Sequence, residues 1–199
     1  GAILVALGPD FAGPRSLYHT PLGKILPGVP TGKMLEGSFR AAITEKGRLH
    51  PVTAGPGVRQ GEKGWGRWLR QIESDSRGGV TVMTGSQGRP LLMLDRVEKG
   101  RVAQFLSDHI WLWARGYEGG GPHAELMRRL AHWLMKEPDL EEEDLRATVD
   151  GDKLSIIRRS LLPETPPIKL TTPSGKNEVV KLQPQGDGSA TTTLTVDET

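Results

Sequence analysis

The residues whose types and order could carry chemistry lie together in one short stretch of the chain. Ser107, Asp108 and His109 follow the apolar run 102–106 and precede a loop and a helix. Polar residues that end a buried strand are where α/β folds often place their sites. Aspartate and histidine are also two members of a hydrolytic triad, so the candidate catalytic residues are His109, Asp108 and Asp10.

Other features of the sequence argue against catalysis here. Asp108 and His109 are adjacent, and neighbouring residues on an extended strand point to opposite faces, so we expect no hydrogen bond between them. The chain has no cysteine, which excludes a thiolate nucleophile and a cysteine-ligated metal. His123 and His132 are nine positions apart, nearly opposite on a helix, and do not form a metal pair. We therefore predict no metal ion and no cofactor.

Aromatic residues follow the polar stretch at once. Trp111, Trp113 and Tyr117, together with Arg115, form the candidate binding segment. In an extended segment Trp111 and Trp113 would share one face and behave alike, with Arg115 reaching an acidic group beside them. Either these rings fold back as core, which the usual burial of large aromatics favours, or they form a contact patch. Trp65 and Trp68 offer a further reading as part of a ligand-binding module, although such pairs more often cover the edge of a core.

Composition narrows the choice of partners. The 199 residues carry a formal charge of +2, and the basic residues are scattered, so neither a nucleic-acid groove nor a membrane-binding patch is indicated. No run approaches the roughly 18 apolar residues of a membrane span. The chain begins without methionine inside an apolar run, so we expect a piece excised from a larger protein.

The elements that must position these residues can be read from hydrophobic periodicity. Residues 2–7 indicate a buried parallel strand, residues 28–50 look rich in loops, and residues 80–84, 91–97 and 102–106 predict a meander with a central middle strand. A helix from Pro122 should pack Leu126, Leu130 and Leu134 against that sheet. We expect residues 1–137 to form an α/β domain.

The rest of the chain changes character. Residues 138–144 contain Glu141, Glu142 and Glu143, which we interpret as a solvated acidic linker. Apolar residues then alternate with period two between turn signals, which predicts an antiparallel β-sandwich segment over residues 145–199.

A pattern of short phrases extends over about three quarters of the chain: an apolar strand ending in Gly8-Pro9, residues 13–27, and His50-Pro51-Val52, Pro90-Leu91-Leu92, Gly100-Arg101-Val102 and Ser107-Asp108. Together these residues resemble a class I glutamine-amidotransferase-like domain. The version they resemble occurs in large bacterial membrane proteins with BatA and von Willebrand factor A-type architecture. The resemblance implies a flavodoxin-like α/β unit, here its later part, followed by an Ig-like sandwich.

The resemblance does not carry the family's chemistry with it. Members that hydrolyse glutamine place a cysteine on a sharp turn after a buried strand, where this chain has Gly8-Pro9-Asp10. They also need a histidine with a glutamate two residues on. His109 occupies a similar place, but Trp111 stands where the glutamate would be. Without a thiolate no acyl-enzyme forms, so the sequence looks like a fold retained after glutaminase chemistry was lost.

These observations lead to one expectation and two alternatives. We expect a non-catalytic structural or protein-interaction region of a membrane-anchored bacterial protein, with other domains of its parent or a protein complex as partners. The membrane would be reached only through other parts of the parent, and the periplasmic side is favoured over the cytoplasmic side. The alternatives are a hydrolase or amidotransferase using His109 with Asp108 or Asp10, and a ligand-binding module using surface tryptophans.

Overall fold

Strands dominate the computed structural model, which describes residues 1–172 and 174–195. They make up 40% of the described residues, against 27% in helical turns of all types. The strands are β1 (Ala2–Ala6), β2 (Gly28–Phe39), β3 (Ala42–Ile43), β4 (Trp68–Ser76), β5 (Val80–Thr84), β6 (Pro90–Val97), β7 (Gly100–Phe105), β8 (Asp144–Asp150), β9 (Lys153–Arg159), β10 (Ile168–Thr171), β11 (Asn177–Val180), β12 (Gln183–Pro184) and β13 (Ser189–Thr195). The α-helices are α1 (Glu45–Leu49), α2 (Pro51–Ala54), α3 (Pro56–Arg59), α4 (Ile110–Ala114) and α5 (His123–Leu134). Within the described residues, none of these helices has the length and apolarity that a membrane crossing requires.

The main sheet has five strands in the order β1-β7-β6-β5-β3. β1 and β7 are parallel, and every other neighbouring pair is antiparallel. A flavodoxin-like sheet needs parallel strands joined by crossover helices, whereas only Glu98 and Lys99 separate β6 from β7. The predicted flavodoxin-like α/β unit is therefore wrong, because hairpin turns leave no room for the crossovers.

The meander and the helix that covers it agree with the sequence pattern. β5, β6 and β7 are consecutive neighbours, and residues 91–94 on the middle strand are buried on both faces. Leu126, Leu130 and Leu134 of α5 join Leu92 and other sheet residues in one apolar cluster. This cluster is the larger of the two cores against the sheet, and α2 and α3 add Val52 and Val58 to it.

The opposite face of the sheet is covered by a ribbon that the sequence did not reveal. β2 pairs antiparallel with β4 where a loop-rich segment was expected. Pro30, Gly32 and Gly37 interrupt the strand pattern, and the pairing carries register shifts near them. The buried Gln104 side chain ties the ribbon to β7, since it accepts from the Gly28 amide at 2.7 Å and donates to the Gly28 carbonyl at 3.1 Å.

β1 is parallel to β7 as predicted, but it is not a buried strand. It lies at the edge of the sheet, and its residues alternate between exposed and half-buried. An edge strand has a neighbour on one side only, so its apolar run covers less core than the sequence suggested.

The C-terminal strands are antiparallel but do not build the predicted Ig-like sandwich. Four of them form a sheet in the order β12-β13-β9-β8, and β10 pairs with β11 as a separate ribbon. The buried apolar cluster between these elements is small, and among the described residues it consists of Ile156, Leu182 and Ala190. The β10–β11 ribbon packs on part of one face of this sheet and leaves β8 exposed.

The acidic run at residues 141–143 is part of the structure and not a solvated linker. Glu142 is buried, with Arg96 Nε at 2.5 Å and the Trp133 indole N–H donating at 2.9 Å. Glu141 pairs with Arg101 and with Arg96, and Glu143 accepts from Ser160 Oγ at 3.1 Å. Glu141 and Glu142 thus fasten the start of β8 to the main sheet and to α5, whereas Glu143 ties it to the residues that follow β9.

Titration of this network follows from its burial. Burial by itself raises the pKa of Glu142, but the hydrogen bonds from Arg96 and Trp133 outweigh it and lower the pKa to about 2. His50 packs edge-to-face on Trp133 with ring centroids 5.7 Å apart, and burial lowers its pKa to about 4. The network therefore holds a carboxylate anion beside a neutral imidazole at neutral pH.

Candidate functional site

The polar stretch predicted to carry chemistry lies at the carboxyl ends of the parallel strands β1 and β7. β1 runs into Gly8 and β7 into Ser107, and a Cβ added to Gly8 would lie 3.2 Å from Asp108 Oδ2. β4 fixes the stretch from the other side, because the Ile72 amide donates to the Leu106 carbonyl at 2.8 Å. The structure thus brings Asp108 beside the end of β1, where the sequence argument placed a site.

Asp108 is already engaged with a cation. Arg70 on β4 donates to both carboxylate oxygens, from Nε at 3.1 Å and from Nη2 at 2.7 Å. Partial burial by itself raises the pKa of Asp108, but the hydrogen bond and charge of Arg70 outweigh it and keep the pKa below its usual range. Asp108 is therefore an anion in a bidentate pair.

His109 is held by the backbone amide of Leu69 and by the side chain of Ser107. Its Nδ1 accepts from the Leu69 amide at 3.1 Å, and its own amide donates to Ser107 Oγ at 3.1 Å. Burial lowers the pKa of His109, so the imidazole is neutral at pH 7 with its proton on Nε2. That Nε2 lies 3.9 Å from Asp108 Oδ1, which is too long for a hydrogen bond. The nitrogen that could accept a proton is thus occupied.

Little room is left for a substrate beside these groups. The crevice against Asp108, lined by Leu7, Gly8, Met34 and Ser107, is too narrow to hold a water molecule. Asp10 is exposed in the 3-10 turn Pro9–Ala12, and none of the hydrogen bonds or ion pairs among described residues joins it to His109.

The two tryptophans of the candidate binding segment have different environments. Their segment is the short helix α4 and not an extended strand, so residues two apart point in different directions. Trp111 is 52% exposed, whereas Trp113 is 3% exposed and donates its indole N–H to the Gly66 carbonyl at 2.8 Å. The expectation that they behave alike is therefore wrong.

Trp65 and Trp68 are also core residues. Each lies with its ring centroid 5.0 Å from that of Trp113, in an edge-to-face arrangement, and both are buried. Three of the four tryptophans considered as a ligand platform are consequently not at the surface.

An exposed patch remains around His109. We call it the aromatic patch and define it as Leu69 and Trp111, which contact His109, together with Tyr117 six residues after Trp111; all three side chains are exposed. The Trp111 ring lies edge-to-face with His109 at 6.4 Å, and the Leu69 amide is the donor to that same histidine. Three arginines neighbour the patch. Arg67 pairs with Glu118 at 2.5 Å and Arg70 pairs with Asp108, while Arg115 is exposed.

Arg115 does not make the contact that the sequence suggested. None of the ion pairs between residues that the structure describes includes it. The partners that do organise this region, Arg70 and Leu69, lie about 40 positions earlier in the chain, and no local signal pointed to them.

Comparison with known proteins gives a likeness of fold only. No family model matches the chain, and no curated protein matches it. Two solved structures from Salmonella typhimurium, the cytoplasmic proteins STM3548 and STM1381, are each 18% identical, with TM-scores of 0.51 and 0.50. Each match covers 67% of this chain and 55% of the other, so the chain spans about half the length of the structures that it matches.

Proposed function

We propose that this chain is a non-catalytic protein-interaction region whose contact surface is the aromatic patch. One observation carries the proposal: Asp108 and His109 are committed to internal partners, while Trp111 beside them is half exposed. Tryptophan and tyrosine are the residues that most often anchor protein interfaces. The patch therefore has the chemistry of a docking surface, and the polar stretch beneath it supports that surface.

The chemistry of the polar stretch supports the same proposal. A histidine that acts as a general base needs an unprotonated nitrogen facing the reacting group. Nδ1 of His109 instead accepts from the Leu69 amide, and freeing it would break a contact between β4 and α4. Asp108 cannot orient this imidazole, because Arg70 holds both of its oxygens.

The charges around the aromatic patch favour a particular partner. Arg67 and Arg70 are balanced by Glu118 and Asp108, and Arg115 adds one cation. We therefore infer a protein partner that offers an apolar side chain for Trp111 and an acidic group for Arg115. In the parent that the sequence resembles, this would be another domain of a membrane-anchored bacterial protein, on the periplasmic side.

Site-specific crosslinking tests the patch. A photo-reactive amino acid at position 111 of the parent protein should crosslink to a peptide of that protein or its complex, and Trp111→Ser should weaken the association while leaving the fold intact. Position 179 is the control, because Val179 is exposed on a different element. Equal crosslinking yields at positions 111 and 179 would show that the aromatic patch is not an interface.

An activity measurement separates this proposal from the hydrolase alternative. The purified chain incubated with glutamine should release no ammonia above the buffer rate, and the His109→Ala variant should give the same result. Ammonia release that His109→Ala abolishes would favour an enzyme.

A further inference from the structure

The two edges of the C-terminal sheet are protected very differently. The β12 edge is two residues long and contains Pro184, which cannot donate to a neighbouring strand. The β8 edge is seven residues long, contains no proline and pairs with β9 without a bulge. Across the described part of the chain, β8 pairs with β9 alone, so its other side is an open row of backbone donors and acceptors.

The side chains of β8 add an apolar strip to this open edge. Leu145, Ala147 and Val149 share one face, and Leu145 and Val149 are 58% and 68% exposed. Ile156 lies directly opposite Ala147 on the same face and is 3% exposed. The residues that bury this face of the sheet therefore extend only as far as β9. The apolar side chains of β8, at the edge of the sheet, are exposed to solvent.

The polar face of β8 restricts what can pair with it. Asp144, Arg146, Thr148 and Asp150 alternate along that face, giving the charge order negative, positive, neutral, negative. A free strand that carries both signs in this order can be complementary to itself. An interface between two identical copies around a two-fold axis requires such self-complementarity.

The possible self-pairings differ in charge. Two antiparallel β8 strands that keep their apolar strips on one face must be centred on a residue. Centring on Arg146 places two guanidinium groups opposite each other, and centring on Ala147 places Asp144 opposite Asp150 of the second copy. Centring on Thr148 places Arg146 opposite Asp150 of the second copy twice, and Ala147 opposite Val149 of the second copy. Among the registers that pair at least five residues of each β8 strand, only this one combines opposite charges with apolar cross-strand pairs.

The guanidinium group of Arg146 has N–H donors left for a contact with Asp150 of the second copy. Its Nη1 donates to Asp139 at 2.8 Å and its Nε lies 2.5 Å from Asp144, so neither pair uses Nη2. A guanidinium group has five N–H donors and serves several carboxylates at once.

We propose that β8 is the docking site for a second copy of this chain, with the two β8 strands antiparallel and centred on Thr148. The pairing satisfies the open backbone edge, joins the C-terminal sheets of both copies and brings the two apolar strips together. It uses a surface separate from the aromatic patch and does not depend on that patch.

Sedimentation velocity of the 199-residue chain over a wide concentration range tests the proposal. The wild-type chain should shift reversibly from monomer to dimer. Arg146→Asp and Asp150→Arg should each weaken the dimer roughly tenfold or more, because each places like charges opposite in two symmetric pairs. The double variant Arg146→Asp/Asp150→Arg should recover dimerisation, because it exchanges the two charges between copies.

The controls separate pairing from folding. Glu164→Arg reverses an exposed charge away from β8 and should leave the dimer unchanged. Circular dichroism of each variant reports on its fold, and a folded double variant that stays as weak as the single variants would overturn the proposal. A wild-type chain that remains monomeric at all concentrations would overturn it as well.

Discussion

The Asp108–Arg70 and Glu142–Arg96 pairs are both carboxylate–arginine contacts, but they differ in burial and in their further partners. The Asp108 side chain is 32% exposed and its charge is balanced by one half-exposed arginine. The Glu142 side chain is 10% exposed and also accepts from the buried Trp133 indole. Water can replace a lost partner at the first pair, whereas at the second it cannot reach the indole group. Similar residue types therefore contribute little stability in one region and much in the other.

The largest expected effect is at Glu142. Glu142→Ala should lower the free energy of unfolding by about 3–4 kcal/mol, because the buried Trp133 indole loses its acceptor and Arg96 loses one of its two carboxylate partners. Urea denaturation at neutral pH measures the change. Glu164→Ala, at an exposed glutamate between β9 and β10, is the matched control and should cost less than about 0.5 kcal/mol. If both variants lose the same small amount of unfolding free energy, the Glu142 region does not contribute more stability than the Asp108 region.

The second prediction concerns His50, which packs on the same network. In the folded chain the pKa of His50 is about 4, whereas in the unfolded chain it has the ordinary value of 6.5. The unfolded state thus binds the extra proton, and stability should fall by about 3 kcal/mol between pH 7 and pH 4 because of this residue.

A substitution isolates that contribution. His50→Asn keeps an acceptor for the Val52 amide, as in the observed cap, but does not titrate. Denaturation series of both proteins from pH 7 to pH 4 should converge toward low pH. Parallel curves would show that His50 is not the group responsible.

The smallest expected effect is at Asp108. Asp108→Asn keeps the shape of the side chain and removes only its charge, so the free energy of unfolding should change by about 1 kcal/mol or less. The change should shrink further at high salt, because both groups reach solvent. Thermal unfolding at two salt concentrations measures it, and a salt-independent loss as large as that of Glu142→Ala would make the two regions equivalent.

The local hydrophobic pattern was sufficient to predict the elements that are held together by short-range contacts. Residues 91–94 are apolar without interruption and lie in the central strand, and Leu126, Leu130 and Leu134 recur at helical spacing and cover it. The strands of the meander needed only their own turns to find one another. The predicted topology failed because that same meander is antiparallel and excludes a doubly wound sheet.

The failures share a dependence on distant partners. β2 contains Pro30, Gly32 and Gly37 and becomes a strand only because β4 lies beside it. Trp111 and Trp113 were assigned one face, because a five-residue helix is too short to show a helical period. Nothing near Glu142 indicates that it is the buried member of three consecutive glutamates, since Arg96 lies 46 positions earlier. The neighbours of the candidate site, Arg70 and Leu69, were missed for the same reason.

The carboxylates of residues 141–143 also bear on how this chain could be divided or recombined. A cut after residue 137 would remove the carboxylate partners of Arg96 and Arg101 and the acceptor of the Trp133 indole while leaving those donors in place. Glu141 and Glu142 therefore belong by their contacts to the first unit, residues 1–137, although they stand in the chain just before β8. Any exchange of the C-terminal strands for another module would preserve the first unit only if the crossover fell after Glu142.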